Sequence, residues 1–159
     1  MSSIVSIDLA YKNAANVQAG KFTVVKSDTA TFTDGFLVPA AANDPFLGVL
    51  QESLVPDSVA DYSGGQYNIT SGAAWGANQV PSSGQGLMAR VRQFGVSRCV
   101  AASAIARSDK VNIADTQGRI KTVSEAAGTL INVVGIALDA ATAAGDVIRV
   151  LVLPWQYKA

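Results

Sequence analysis

With 159 residues and a single cysteine, the chain can bury one core of its own and cannot close an intrachain disulfide. Twelve Lys and Arg balance twelve Asp and Glu, and only 15% of residues are charged, so no global field draws the protein to nucleic acid or to an anionic membrane. No histidine is present, which removes Ser-His-Asp and Cys-His catalysis and histidine-based zinc sites and lowers the expectation of an enzyme.

Residues Met1 to Asp8 carry neither the basic segment nor the apolar run of a secretory leader. The longest apolar runs, Ile131 to Leu138 and Val147 to Leu153, are too short to span a bilayer. Synthesis in the cytoplasm, with no membrane partner, is the expectation. Residues 1–16 alternate at first and then turn Ala- and Asn-rich. They read either as an edge strand or as an arm reaching a neighbouring subunit.

Residues 17–159 read as one β domain. A phrase recurs in it, a small residue and Gly, a charge, then strand-like alternation: Ala19-Gly20-Lys21-Phe22-Thr23-Val24-Val25 and Ala144-Gly145-Asp146-Val147-Ile148-Arg149-Val150. Gly followed by a charge and β-branched residues marks a turn feeding a strand. Strands are therefore expected over Lys21 to Lys26 and, after the hairpin signal Asp34-Gly35, over Phe36 to Val38 before Pro39. Another is expected over Phe46 to Ser53, where the internal Gly48 signals a bulge or a close backbone approach.

Residues 55–86 gather Gly, Ser and Pro with few aliphatics, yet keep Tyr62, Tyr67, Ile69 and Trp75. Purely disordered linkers rarely retain aromatics, so an ordered excursion from the core is expected. Beyond it, Leu87 to Val100 suffices for two strands or one bent at Gly95, with Arg90, Arg92 and Arg98 sharing a parity. Ala101 to Arg107 is the best short-helix candidate, being Ala-rich and free of Gly. Strands then follow over Asp109 to Ala114, Arg119 to Val123, Leu130 to Asp139 and Asp146 to Leu153. Turn signals every eight to twelve residues belong to an all-β sandwich or barrel-like domain with at most one short helix.

The halves echo one another: Asp34 to Val38, a loop and Leu47-Gly48-Val49-Leu50 parallel Gln117 to Lys121, a loop and Val134-Gly135-Ile136-Ala137-Leu138. Either the chain is duplicated or two hairpins obey one physics, and the commonness of Gly-bounded hairpins favours the second.

Chemistry is sparse. Asp139 with Asp146 could be paired carboxylates, but turn aspartates are far commoner. Asp109 with Asp115 lacks the ligand density of a calcium loop, and Gly84-Gln85-Gly86 lacks the Lys-Ser/Thr of a phosphate loop. Lys121 and Ser124 are better read as solvated hairpin residues than as a dyad. No catalytic residue, cofactor or metal site is expected. Arg90, Arg92 and Arg98 are candidate contacts for an acidic partner, against the alternative of a solvated strand face, which is at least as common. Tyr62, Tyr67 and Trp75 suit a protein contact better than a sugar platform. Trp155 and Tyr157, beyond Pro154, either close the core or anchor a subunit.

The order Gly95-Val96, then Ala104 to Val111, Gly118-Arg119-Ile120, Val134 to Ala141 and Ala144 to Val150 resembles the capsid decoration, or cement, proteins of tailed phages. The likeness covers residues 87–153 well and residues 17–53 more loosely, while residues 55–86 depart from the compact pattern. It implies a β-rich structural virion protein without catalysis, trimeric on the outside of the head, that stabilises the shell of major capsid protein. Its termini and loops would bridge capsomers, which makes Ile4, Ile7 and Tyr11 contact candidates alongside those above. The alternative is a carbohydrate- or receptor-binding β module of a tail or fibre, built on Tyr62, Tyr67 and Trp75.

Overall fold

β-Branched residues and short Gly-bounded turns build nine strands in the computed structural model, which describes residues 6–14, 20–28, 30, 33–39, 41–52, 88–124, 126 and 128–158. These are β1 (Ile7–Asn13), β2 (Val24–Ser27), β3 (Gly35–Leu37), β4 (Gly48–Leu50), β5 (Met88–Val100), β6 (Lys110–Ile113), β7 (Ile120–Thr122), β8 (Leu130–Ala137) and β9 (Val147–Lys158). No helix occurs among the described residues, and the fold is all-β. The excursion expected at 55–86 lies outside the described residues.

The strands close into two rings that share β5. In the first, β1 runs parallel to β3, then β3–β2, β2–β4, β4–β5 and β5–β1 pair antiparallel, giving a closed five-stranded barrel. In the second, β7–β6, β6–β8, β8–β9 and β9–β5 pair antiparallel, and a parallel bridge from Ala101 to Ile120 returns to the end of β5. The handover falls at Gly95. Residues of β5 up to Phe94 pair with β1 and β4, whereas Gly95 to Val100 pair with β9. Gly95 sits at φ 104°, a backbone that glycine adopts without steric cost.

The rings repeat many of each other's backbone bonds, which favours the first of the earlier alternatives, one module built twice. The Phe22 amide donates to the Leu50 carbonyl and the Leu50 amide to the Thr23 carbonyl. In the second ring the Ser108 amide donates to Ala137 and the Ala137 amide to Asp109. Ala14 donates to Phe36 as Ala102 donates to Ile120, and Gln51 to Arg90 as Leu138 to Arg149. Arg90 pairs with Glu52 where Arg149 pairs with Asp139. Glycine recurs at the tightest crossing: a Cβ at Gly48 would meet Val91 Cγ1 and Arg92 O, and one at Gly135 would meet Leu151 O and Val150 Cγ1. Hairpin physics alone does not reproduce an ion pair and a steric site at matched positions.

Two cores follow from strand alternation. Val25, Phe36, Leu50, Ala89 and Val91 fill the first ring, with half-buried Tyr11, Val38 and Leu47 against them. The neighbouring residues Val24 and Val49 join Ile113, Ile120, Val134, Ile148 and Val150 in the core of the second. Because β2 and β4 are buried on both faces, the rings share a hydrophobic interior. Asn43 pins the joint from the other side. Its Nδ2 donates to Leu130 O at 2.7 Å, while its Oδ1 accepts from the Asn132 amide at 2.8 Å.

Two expectations change. Ala101 to Arg107 is not helical, because tertiary bonds claim its backbone: Ala101 N donates to Asp146 O, and Ile105 exchanges both bonds with Ala141. The last strand does not stop at Leu153 but passes Pro154 to Lys158. Pro154 lies beyond the last β5 pair, at Val152, and at the β8–β9 register shift, where its missing N–H breaks no ladder bond.

Candidate functional site

Alternation along β5 sends Ala89, Val91, Ser97 and Cys99 inward and leaves Met88, Arg90, Phe94 and Arg98 exposed, so one strand writes most of a surface that crosses both rings. At its start Ile7 of β1, 48% exposed, pairs directly with exposed Phe94 of β5, while Met88 is exposed at the far end of β5, opposite Lys12.

Arginine dominates the second part. Arg92, half-buried, grips Asp8 with two bonds, Nε to Oδ1 at 2.7 Å and Nη2 to Oδ2 at 2.8 Å, and donates Nη1 to Val96 O. The Arg92 hydrogen bond holds the Asp8 carboxyl below the usual carboxylate range, burial opposes this, and the charges of Arg92 and Arg90 add to it. Arg149 holds Asp139 in the same two-pronged way, at 2.8 and 2.7 Å, and the Arg149 amide donates to it as well. Those bonds, the side-chain one first, bring Asp139 down to about 2. Arg98 lies directly opposite Arg149 across the β5–β9 ladder. It makes no ion pair among the described residues, and its guanidinium lies over the Phe22 ring, 5.9 Å from the centroid. Phe22, Arg98 and Arg149 border an open groove of about 310 Å³, floored by Gln51, Val96 and Ser97.

The aspartates weighed for chemistry are engaged in their own turns. Asp146 accepts from the Thr142 and Ala143 amides and from the Thr142 hydroxyl, bonds that lower its pKa. Asp109 accepts from the Ala106 amide and Thr122 Oγ1, and Asp115 from the Gln117 amide and Arg119. Cys99 is buried, and desolvation pushes its thiol up to about 12. Among the described residues no cluster of three or more His, Cys, Asp or Glu could hold a metal ion. No helix among them is long and apolar enough to cross a membrane.

The candidate contacts fall in different places. Ile4, Tyr62, Tyr67 and Trp75 lie outside the described residues. Ile7 is exposed on β1, and Tyr11 is half-buried against the first core, its hydroxyl accepting from Gln93. Arg90 is exposed and paired with Glu52, and Arg92 belongs to the Asp8 pair. Trp155 and Tyr157 stand half-buried on β9, with Lys110 Nζ 4.9 Å from the Tyr157 ring centroid. Leu9, Phe94, Phe22 and Arg149 were not singled out as contacts from the sequence. Arg98 was already a candidate contact for an acidic partner, and Arg149 carried one usable signal, since aligning the two repeats sets it against Arg90.

Two β rings that share β5, with an arginine-rich surface across them, define an all-β protein. No protein-family model matches the chain, and no curated protein sequence matches it. Among solved structures the chain is similar to the head fiber gp8.5 N base of bacteriophage phi29, with a TM-score of 0.52 and 14% identity. The match covers 94% of this chain and 95% of that one. At that identity the likeness concerns the fold.

Proposed function

We propose that this chain is a structural protein of a phage head, which binds the outer capsid surface as a homotrimer and stabilises the shell without catalysis. The observation that carries the reading is the end-to-end likeness of the chain to the base of a phage head fiber. The sequence resemblance to capsid decoration proteins points the same way from different data. Exposed Ile7 and Phe94, paired across β1 and β5, supply apolar area that a protein contact buries. Many copies on a symmetric shell would each bury modest area and sum to a large stabilisation. Ile7, Tyr11, Arg90, Arg92, Trp155 and Tyr157, with Ile4, Tyr62, Tyr67 and Trp75, remain the proposed capsid or subunit contacts.

The test is electron microscopy of heads with and without the chain supplied in excess, paired with their thermal disassembly. Regular added density on the heads and a raised disassembly temperature are expected. Bare heads at saturating protein refute the reading, and density without thermal protection refutes its stabilising part.

A further inference from the structure

The two rings match so closely that their departures stand out, and two departures meet at one place. Where Ala10 faces Arg90 in the first ring, Arg98 faces Arg149 in the second. Where Ser108 takes φ 73° in the second ring, the first places Phe22 at φ 70°. Like charges directly opposite across an antiparallel pair destabilise it. A bulky side chain at positive φ costs energy and persists only when its surroundings hold it. Here the holding bonds are Phe22 N to Leu50 O at 2.7 Å and Thr23 N to Gly20 O. The two costly residues touch through the cation–π contact and border the same groove.

Charge within the groove is unbalanced. Asp8 answers Arg92 and Asp139 answers Arg149, while Arg98 has no carboxylate among the described residues. Asp139 engages only Nε and Nη2 of Arg149, and a guanidinium carries five N–H donors. At about 310 Å³ the groove is larger than an inorganic anion requires, and Phe22 and Val96 offer apolar walls to a methylene stem.

We propose that this groove receives an acidic side chain of a partner protein, its carboxylate seated between Arg98 and Arg149 and its stem against Phe22. The bidentate geometry of arginine suits a carboxylate, and the incoming charge relieves the repulsion between the opposed guanidinium groups. The groove rests on the head-binding reading only for where the partner is found.

The experiment titrates the intact protein with a hexaglutamate peptide, and separately with hexaglutamine and with inorganic phosphate, following the arginine Nε–H signals by NMR. Hexaglutamate should shift the Arg98 and Arg149 signals, and Arg98→Ala should weaken binding about tenfold, as expected for one lost charge-assisted hydrogen bond. Lys158→Ala, which removes one positive charge at the far end of β9 from Arg149, should leave binding unchanged. No shift with hexaglutamate, equal binding by hexaglutamine, or undiminished affinity in a folded Arg98→Ala protein overturns the proposal. Phosphate binding as tightly as the peptide overturns the protein partner in favour of a small anion. Bare heads together with Arg98-dependent peptide binding sink the head reading and leave the groove standing.

Discussion

Gly135→Ala tests the packing logic at the tight β8–β9 crossing of the second ring. An added Cβ would lie 2.1 Å from Leu151 O, 2.9 Å from Leu151 C and 3.1 Å from Val150 Cγ1, against an ordinary contact limit of 3.4 Å. The first two obstacles are backbone, so no side-chain rotation clears them. β8 and β9 must part by roughly 1 Å beside the Gly135–Val152 pair, in an interior packed like an organic crystal. Overpacking of this kind costs about 1–3 kcal/mol, and a backbone obstacle takes the upper end. At about 2–4 °C per kcal/mol for a domain of this length, about 3 kcal/mol lowers the melting temperature by ~6–12 °C. Thermal unfolding followed by circular dichroism is the assay. Gly128→Ala is the control, because its Cβ would meet nothing within 4 Å and only the φ of +87° is penalised. That backbone penalty is about 1–2 kcal/mol. Gly48→Ala, at the matched position of the first ring, should fall between them, since its nearest obstacle is the Val91 side chain at 2.4 Å with Arg92 O behind it at 2.6 Å. A Gly135→Ala protein melting within about 2 °C of wild type would refute the reasoning.

The arginine pairs should separate by burial. Arg92→Ala should cost about 2 kcal/mol in urea unfolding, because its partner Asp8 is only 23% exposed and would lose both charge-assisted bonds. Arg90→Ala, whose own side chain is 63% exposed, should cost less than about 1 kcal/mol, and equal costs would contradict the difference in screening. Acid should destabilise the fold. Asp139, at about 2, and Asp8 and Asp146, also below 3.8, bind fewer protons folded than unfolded. Their stabilisation is therefore complete above pH ~4 and is lost as pH falls toward ~2. Asp139→Asn should flatten the urea midpoint against pH in that window, and an unchanged slope would show that the Arg149 pair contributes nothing.

Much of the fold was legible in the residues. Gly and Asp at turns and β-branched runs between them placed β2 to β4 and β6 to β8 within a few residues, because tight-turn chemistry and pleat alternation are local. The close approach at Gly48 was legible for the same reason, since a glycine inside a strand has few other uses. Ala101 to Arg107 misled because helix propensity is a weak prior, and bridges to Ile120 and Ala141 outweigh it. The groove was not legible. Arg90, Arg92 and Arg98 look alike in the chain, and only the partners Glu52 and Asp8, 38 and 84 residues away, show that two are paired and the third is not.

Composition and pattern alone determined an all-β chain with no histidine chemistry, a charge balance near zero and turns in a fixed order, since each depends on residue identity or near neighbours. Tertiary structure alone showed that the echo between the halves extends to repeated bonds around a shared β5, and that Phe22, Arg98 and Arg149 meet. Those facts rest on pairings between distant residues, such as Arg98 with Arg149, whose register is set by the strands and glycines around them.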